Sequence, residues 1–206
     1  MLRLNELRMD WRAAVAVVAT TLLLAVRRYY GLSFHALLSS TVLYLIVPLF
    51  IILLLYRESP AKYGVTFGDW RAGILLTGLG CAFVAVAVFF VARSPDFQGY
   101  YRYASVSGRI PFWLADGIDL VAWEFFFRGF LLFALYRACG PIALVLQAVP
   151  FTMAHFGKPA LETFSCIFGG TVFGYIAWRT RSFLYPFLIH WFQASFLAVV
   201  VSGVLM

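Results

Sequence analysis

The sequence predicts an all-α protein, a polytopic bundle of transmembrane helices with about seven spans and a range of six to eight. Three observations predict it. The 206 residues are 63% hydrophobic and 12% charged. Mean hydropathy is +0.89. The apolar residues also gather in long stretches separated by short polar punctuation. Soluble domains carry about 25% charged residues, so this chain has too little charge to cover a soluble folded surface. A soluble globular enzyme is excluded on that ground. So is a disordered chain, which needs high charge and low hydrophobicity.

The elements follow in order. Residues 1–12 mix charged and apolar side chains and read as an interfacial lead-in. Apolar stretches follow at 13–26, 36–56, 72–92, 110–136, 141–156, 161–178 and 183–206. The first is short for a bilayer core of about 30 Å and is expected to tilt or to extend through Tyr29 and Tyr30. Pro48 removes one backbone hydrogen bond and is expected to kink the second span. Residues 57–71 and 93–109 hold the Pro, Gly and charged residues and read as loops, the second a linker or a flap. Gly169, Gly170 and Gly174 place small residues on nearby turns of the sixth span, which permits close helix packing. Two parts of one integral-membrane domain are expected, N-terminal helices and loops over 1–109 and a catalytic core over 110–206.

The net charge is +7. In a soluble protein that balance would suggest nucleic acid. Here the Arg residues stand at the ends of apolar stretches, where they meet lipid phosphates, and no basic run carries interleaved polar residues. The expected partner is therefore the lipid bilayer and not nucleic acid. Cys81, Cys139 and Cys166 form no metal-type pair and read as small membrane-buried residues. No cleavable signal peptide stands out, because the first apolar run is followed by Arg27 and Arg28. With seven spans, nine Lys and Arg fall on the N-terminal side and six on the other, which favours a cytoplasmic N-terminus.

A charge at mid-bilayer costs at least about 2.5–3.5 kcal/mol. The informative residues are therefore polar groups inside apolar runs: Glu124, Arg128, His155 and His190. Asp116 and Asp119 lie nearer the start of the fourth span, and His35 precedes the second without an acidic companion. Glu124 and Arg128 stand at i and i+4 and project from one helix face. The plain reading of that pair is a structural ion pair. A carboxylate and a neutral imidazole can instead hold a water and take its proton. A second imidazole can donate to the oxygen that becomes negative as water attacks a carbonyl. A metal site is the competing use of two His and one Glu, but the His-Glu-x-x-His spacing is absent. No cofactor is expected.

Three short motifs carry a resemblance. They are Trp123-Glu124-Phe125-Phe126-Phe127-Arg128, Phe151-Thr152-Met153-Ala154-His155 and His190-Trp191-Phe192-Gln193-Ala194. In this order, on successive spans, they resemble the CPBP family of CAAX-protease and bacteriocin-processing membrane proteins, also called the abortive-infection family. The family's motifs usually read Glu-Glu-x-x-x-Arg, Phe-x-x-x-His and His-x-x-x-Asn. The resemblance covers about residues 110–200. It implies a glutamate-dependent intramembrane endopeptidase in a bacterial or archaeal cell membrane, cutting a membrane-anchored peptide or protein. Carried over, it implies that Glu124 and His155 activate water, His190 donates to the oxyanion and Arg128 orients Glu124. Two positions depart from the pattern. Trp123 stands where the first Glu is usual, and Ala194 where the Asn is usual. Gln193 and Ser195 are accessory candidates for the missing donor, and Glu162 for the missing carboxylate. As a plain alternative, Glu162 is a helix-start acid. Two other functions remain open from sequence. One is a non-catalytic member that binds a peptide or partner, as an immunity or assembly factor does. The other is a small proton-linked transporter, against which the absence of inverted repeats counts.

Overall fold

The computed structural model describes residues 10–30, 39–101 and 112–203. Expectations for the lead-in before residue 10, for His35 and for Arg102 and Arg109 fall outside the described residues. Among those described, all regular structure is helical. Helix α1 is Trp11–Tyr30, and the short apolar helix α2 is Thr41–Leu55. A 3₁₀ turn at Pro60–Tyr63 follows, its first turn capped by the Ser59 hydroxyl. Helix α3 is Trp70–Val91, capped by the Asp69 carboxylate on the Ala72 amide, and α4 is Pro95–Tyr101. Helix α5 comprises Phe112–Glu124, a π-helical Phe125–Leu131 and Leu132–Cys139. Helix α6 comprises Ala143–Leu146 and Ala148–Met153. Helices α7 and α8 are Ala160–Thr180 and Leu184–Val201.

Among the described residues, five helical stretches are long and apolar enough to cross a membrane by length and composition. One of them, Phe112–Met153, runs 42 residues, about 63 Å at 1.5 Å per residue, or twice a bilayer core. It does not run straight. Gly140 adopts φ 62° and ψ −142°, a conformation only glycine takes easily, and Pro141 follows it. With that break, helices fall on all seven expected stretches. The protein is an integral membrane protein, a polytopic helical bundle.

Two expectations are corrected. The stretch 93–109 is not all loop, because α4 forms inside it; Ser94-Pro95-Asp96 is a helix-start pattern with Pro at the first helical position. Cys139 is exposed at the end of α5, while Cys166 is buried. The helix continues through Pro48, with wide π-type turns on both sides, Thr41–Ile46 and Ile51–Leu55. Gly170 and Gly174 pack as expected. A Cβ on Gly170 would lie 3.0 Å from the Cβ of Ala148, and one on Gly174 would lie 2.7 Å from the Gln147 amide nitrogen. Gly169, by contrast, faces open space.

The arrangement that positions the site is simple. Helix α8 packs along α3 and along the first part of α5, and α7 packs on α6. Fully buried Gln147 fastens α6 to α7 by donating to the Gly170 carbonyl at 2.7 Å. At the α5–α8 crossing, Gly117 lets the Trp191 indole come close, and Trp191 Nε1 donates to the Trp113 carbonyl at 2.7 Å. The main core lies around the π-helical stretch, where Phe125, Phe126, Phe127 and Phe130 are fully buried.

Candidate active site

The centre of α5 carries two ionic groups into the core. Glu124 is the last residue before the π-helical stretch, and Arg128 lies within it; both are fully buried. Arg128 Nε stands 3.3 Å from Glu124 Oε2, so the i, i+4 pair forms as the spacing predicts. The guanidinium lies flanked by aromatic rings, with its carbon 3.8 Å from the Phe151 ring centre and 5.5 Å from that of Phe173. Such faces attract a cation and attenuate the cost of its burial. The π-helical turns that carry this pair are rare and concentrate at functional sites.

Glu124 Oε1 accepts a hydrogen bond from His190 Nδ1 at 2.7 Å, joining α5 to α8. His155, 5% exposed in the turn after α6, contacts the Phe151 carbonyl through Nδ1 at 2.8 Å. A carbonyl only accepts, so Nδ1 carries the proton and Nε2 is left as a lone pair. Both imidazoles pack on the same ring: His155 lies 4.5 Å and His190 6.1 Å from Phe151, centre to centre.

The two imidazoles share one cavity of about 240 Å³. Its polar wall holds Asp116, Asp119, His155, Lys158, Glu162 and His190. That volume admits water. Trp123 and Ala194 also line it, so the two apolar departures sit on the wall itself. Gln193 is on the wall as well; Glu124, Arg128 and Ser195 are not among its lining residues. Glu162 lies in the first turn of α7 and is already engaged, accepting from Tyr101 Oη at 2.7 Å and from Lys158 Nζ at 2.8 Å.

The structure therefore brings Glu124, Arg128 and His190 into one chain of contacts and sets His155 beside them across Phe151. It places Glu124 behind His190 rather than on the cavity. Two wall residues were not selected by sequence reasoning, Asp116 and Asp119, which read there as residues near a helix start. Their signal is the spacing 116, 119 and 123, which repeats along one face of α5. Among the described residues, no group of three His, Cys, Asp or Glu side chains is arranged to hold a metal ion. A second, more open cleft of about 480 Å³ lies at Glu58, Lys62, Arg137 and Arg181 and contains no imidazole.

An apolar helical bundle with a buried Glu–Arg pair and two imidazoles around an internal cavity defines a membrane protein equipped for polar chemistry below its surface. Residues 111–205, a little under half of the chain, match the family described as Type II CAAX prenyl endopeptidase Rce1-like. The match covers all three motifs and bears out the resemblance they carry. At family level it supports a CAAX-type intramembrane protease acting on a membrane-anchored protein. No curated protein and no solved structure matches the chain.

Proposed function

We propose that the protein is an intramembrane endopeptidase that hydrolyses a peptide bond in a membrane-anchored peptide or protein. The observation that carries this reading is the His190–Glu124 hydrogen bond at the edge of a cavity that also holds His155. His155 holds a water through Nε2. His190 donates from its Nε2 to the carbonyl oxygen as that oxygen becomes negative. Both ring nitrogens donate in this step, Nδ1 to Glu124 and Nε2 to the oxyanion. Glu124 thus acts through His190, and Arg128 fixes Glu124. This assigns Glu124 a place one step further from the water than the family resemblance implies.

The test is cleavage of a lipid-anchored, internally quenched fluorogenic peptide by the purified protein in detergent. Wild type is expected to cleave it, and His155→Ala and His190→Ala to lose about 100-fold or more in rate. Equal rates in all three would sink the reading. A second reading, a non-catalytic peptide binder, is favoured by Trp123 and Ala194, which line the cavity with apolar surface. It predicts saturable peptide binding with no cleavage by wild type.

A further inference from the structure

We infer that Asp116 is the carboxylate that receives the proton of the attacking water, in place of a glutamate at position 123. The inference rests on the endopeptidase reading above and adds a catalytic residue to it.

Hydrolysis of an amide by water needs a group on the cavity wall that takes a proton and returns it. Glu124 is not on that wall, and its Oε1 is committed to His190. Position 123 is an indole, whose Nε1 has no partner among the described residues and cannot accept a proton. Three carboxylates remain on the wall. Glu162 is held by Tyr101 and Lys158. Asp119 stands one turn before position 123, about 40° off its face of α5. Asp116 stands two turns before position 123, within about 20° of its face of α5. Its Oδ2 is buried and has no hydrogen-bond partner among the described residues. A buried acceptor left without a donor is rare in folded proteins. Asp119 Oδ1 shares that condition, but Asp116 is the one of the two closer to the face of position 123 and next to the Gly117–Trp191 contact that brings α8 near.

The helix geometry supports the exchange. Residues 116 and 123 are separated by two turns, so both face the cavity, as the wall shows. Gly117, the next residue, admits Trp191 and brings α8 with His190 close to this part of α5. In the reaction the Asp116 carboxylate and His155 Nε2 accept the two hydrogens of one water. The proton passes to Asp116 as the water oxygen adds to the carbonyl carbon. The carbonyl π pair moves to the oxygen facing His190. On collapse the carbonyl re-forms, the C–N bond breaks, and Asp116 returns its proton to the leaving nitrogen. Water and amide are consumed, and a carboxylic acid and an amine are released, so Asp116 ends as it began.

The experiment compares wild type, D116N, D119N, D116E and the double variant D116N/W123E on the same fluorogenic peptide, each first checked for monodisperse elution in detergent. D116N is expected to lose about 100-fold or more in kcat, with KM within about threefold. D119N is expected to stay within about tenfold of wild type, since Asp119 is not the proton acceptor. D116N/W123E is expected to recover at least about tenfold over D116N, because it restores a carboxylate to the same wall. D116N cleaving within about threefold of wild type overturns the inference and leaves the endopeptidase reading standing. If D116N does not fold, D116E decides: it keeps the charge and moves it by one methylene, so a wild-type rate overturns the inference and a loss of about tenfold supports it. If wild type cleaves nothing while binding the peptide, the endopeptidase reading itself fails, and this inference with it.

Discussion

Glu124 and His190 meet across α5 and α8 at 2.7 Å, Oε1 to Nδ1, with the carboxylate fully buried and the imidazole side chain 13% exposed. A buried carboxylate on one ring nitrogen fixes the plane and orientation of the ring. Glu124→Gln keeps an acceptor in nearly the same shape but removes the charge. It is expected to lower kcat about 100-fold with KM nearly unchanged, while Glu124→Asp recovers part of the loss. A purely structural Glu124 would instead lower stability in both variants and leave kcat per folded molecule unmoved. Kinetics on monodisperse protein separates the two.

Arg128 is the counterpart that makes a buried Glu124 tolerable. Removing one member of a buried pair leaves the other charge uncompensated, at a cost of about 3–5 kcal/mol. Arg128→Met is therefore expected to lower the apparent melting temperature strongly. Adding Glu124→Gln to it is expected to restore part of the loss, because the stranded charge is then gone. A double-mutant cycle in detergent by thermal unfolding measures this coupling. Strict additivity of the two single effects would show that the 3.3 Å approach contributes nothing.

Much of this arrangement is legible in the sequence, and the reason is the solvent. A bilayer leaves few places for a charge, so the ionic residues inside apolar stretches identify themselves. Glu124, Arg128 and His190 stand out on that ground, and the fold joins them. The apolar stretches also mark the helices, because a span has a set length. What was not legible depends on direction. Nothing in Trp-Glu-Phe-Phe-Phe-Arg-Gly announces π-helical turns, and those turns carry Arg128 beside Phe151. Nor does the sequence say that Glu124 turns toward His190 and away from the cavity. A charge near a helix end is ordinary, so nothing in the sequence sets Asp116 and Asp119 apart. Their place on the wall depends on α8 and α7 closing over that end of α5.

A second ionic centre gathers on Glu58, in the loop between the spans. Glu58 accepts from Arg137 Nη1 at 2.6 Å and from Tyr63 Oη at 2.8 Å, with Lys62 at 3.5 Å and Arg12 at 3.9 Å. It ties α1, the loop after α2 and the end of α5 together. Desolvation raises its pKa, but the hydrogen bonds from Arg137 and Tyr63 and the nearby cations outweigh that, holding it at about 2 against an ordinary 4.5. The folded state thus binds the proton less readily than the unfolded chain. The stabilisation is complete above pH 4.5 and is lost as pH falls through about 2. It amounts to about 1–2 kcal/mol once solvent screening at this surface is allowed for. Melting curves between neutral pH and pH 3 are expected to fall less steeply for Glu58→Gln than for wild type. Parallel curves would assign the acid sensitivity to other carboxylates.

The contact between Gly117 and Trp191 tests whether the α5–α8 spacing sets the site. A Cβ at position 117 would lie 2.9 Å from the Trp191 indole, closer than side chains approach one another. That ring cannot simply swing away. Its Nε1 donates to the Trp113 carbonyl, and it stacks on Phe187 at 5.7 Å between centres. Relief must come from moving α8, which carries His190 at the next position. Gly117→Val is therefore expected to cost about 1–3 kcal/mol of stability, as overpacking does. It is also expected to reduce cleavage about tenfold or more, because a shift of about 1 Å at a reacting group is costly. Trp191→Phe in the same chain removes the indole nitrogen ring and makes room. It is expected to restore stability to Gly117→Val, with cleavage following to the extent that His190 returns to Glu124. If the double variant regains stability but Gly117→Val alone cleaves at the wild-type rate, the α5–α8 spacing does not govern the site.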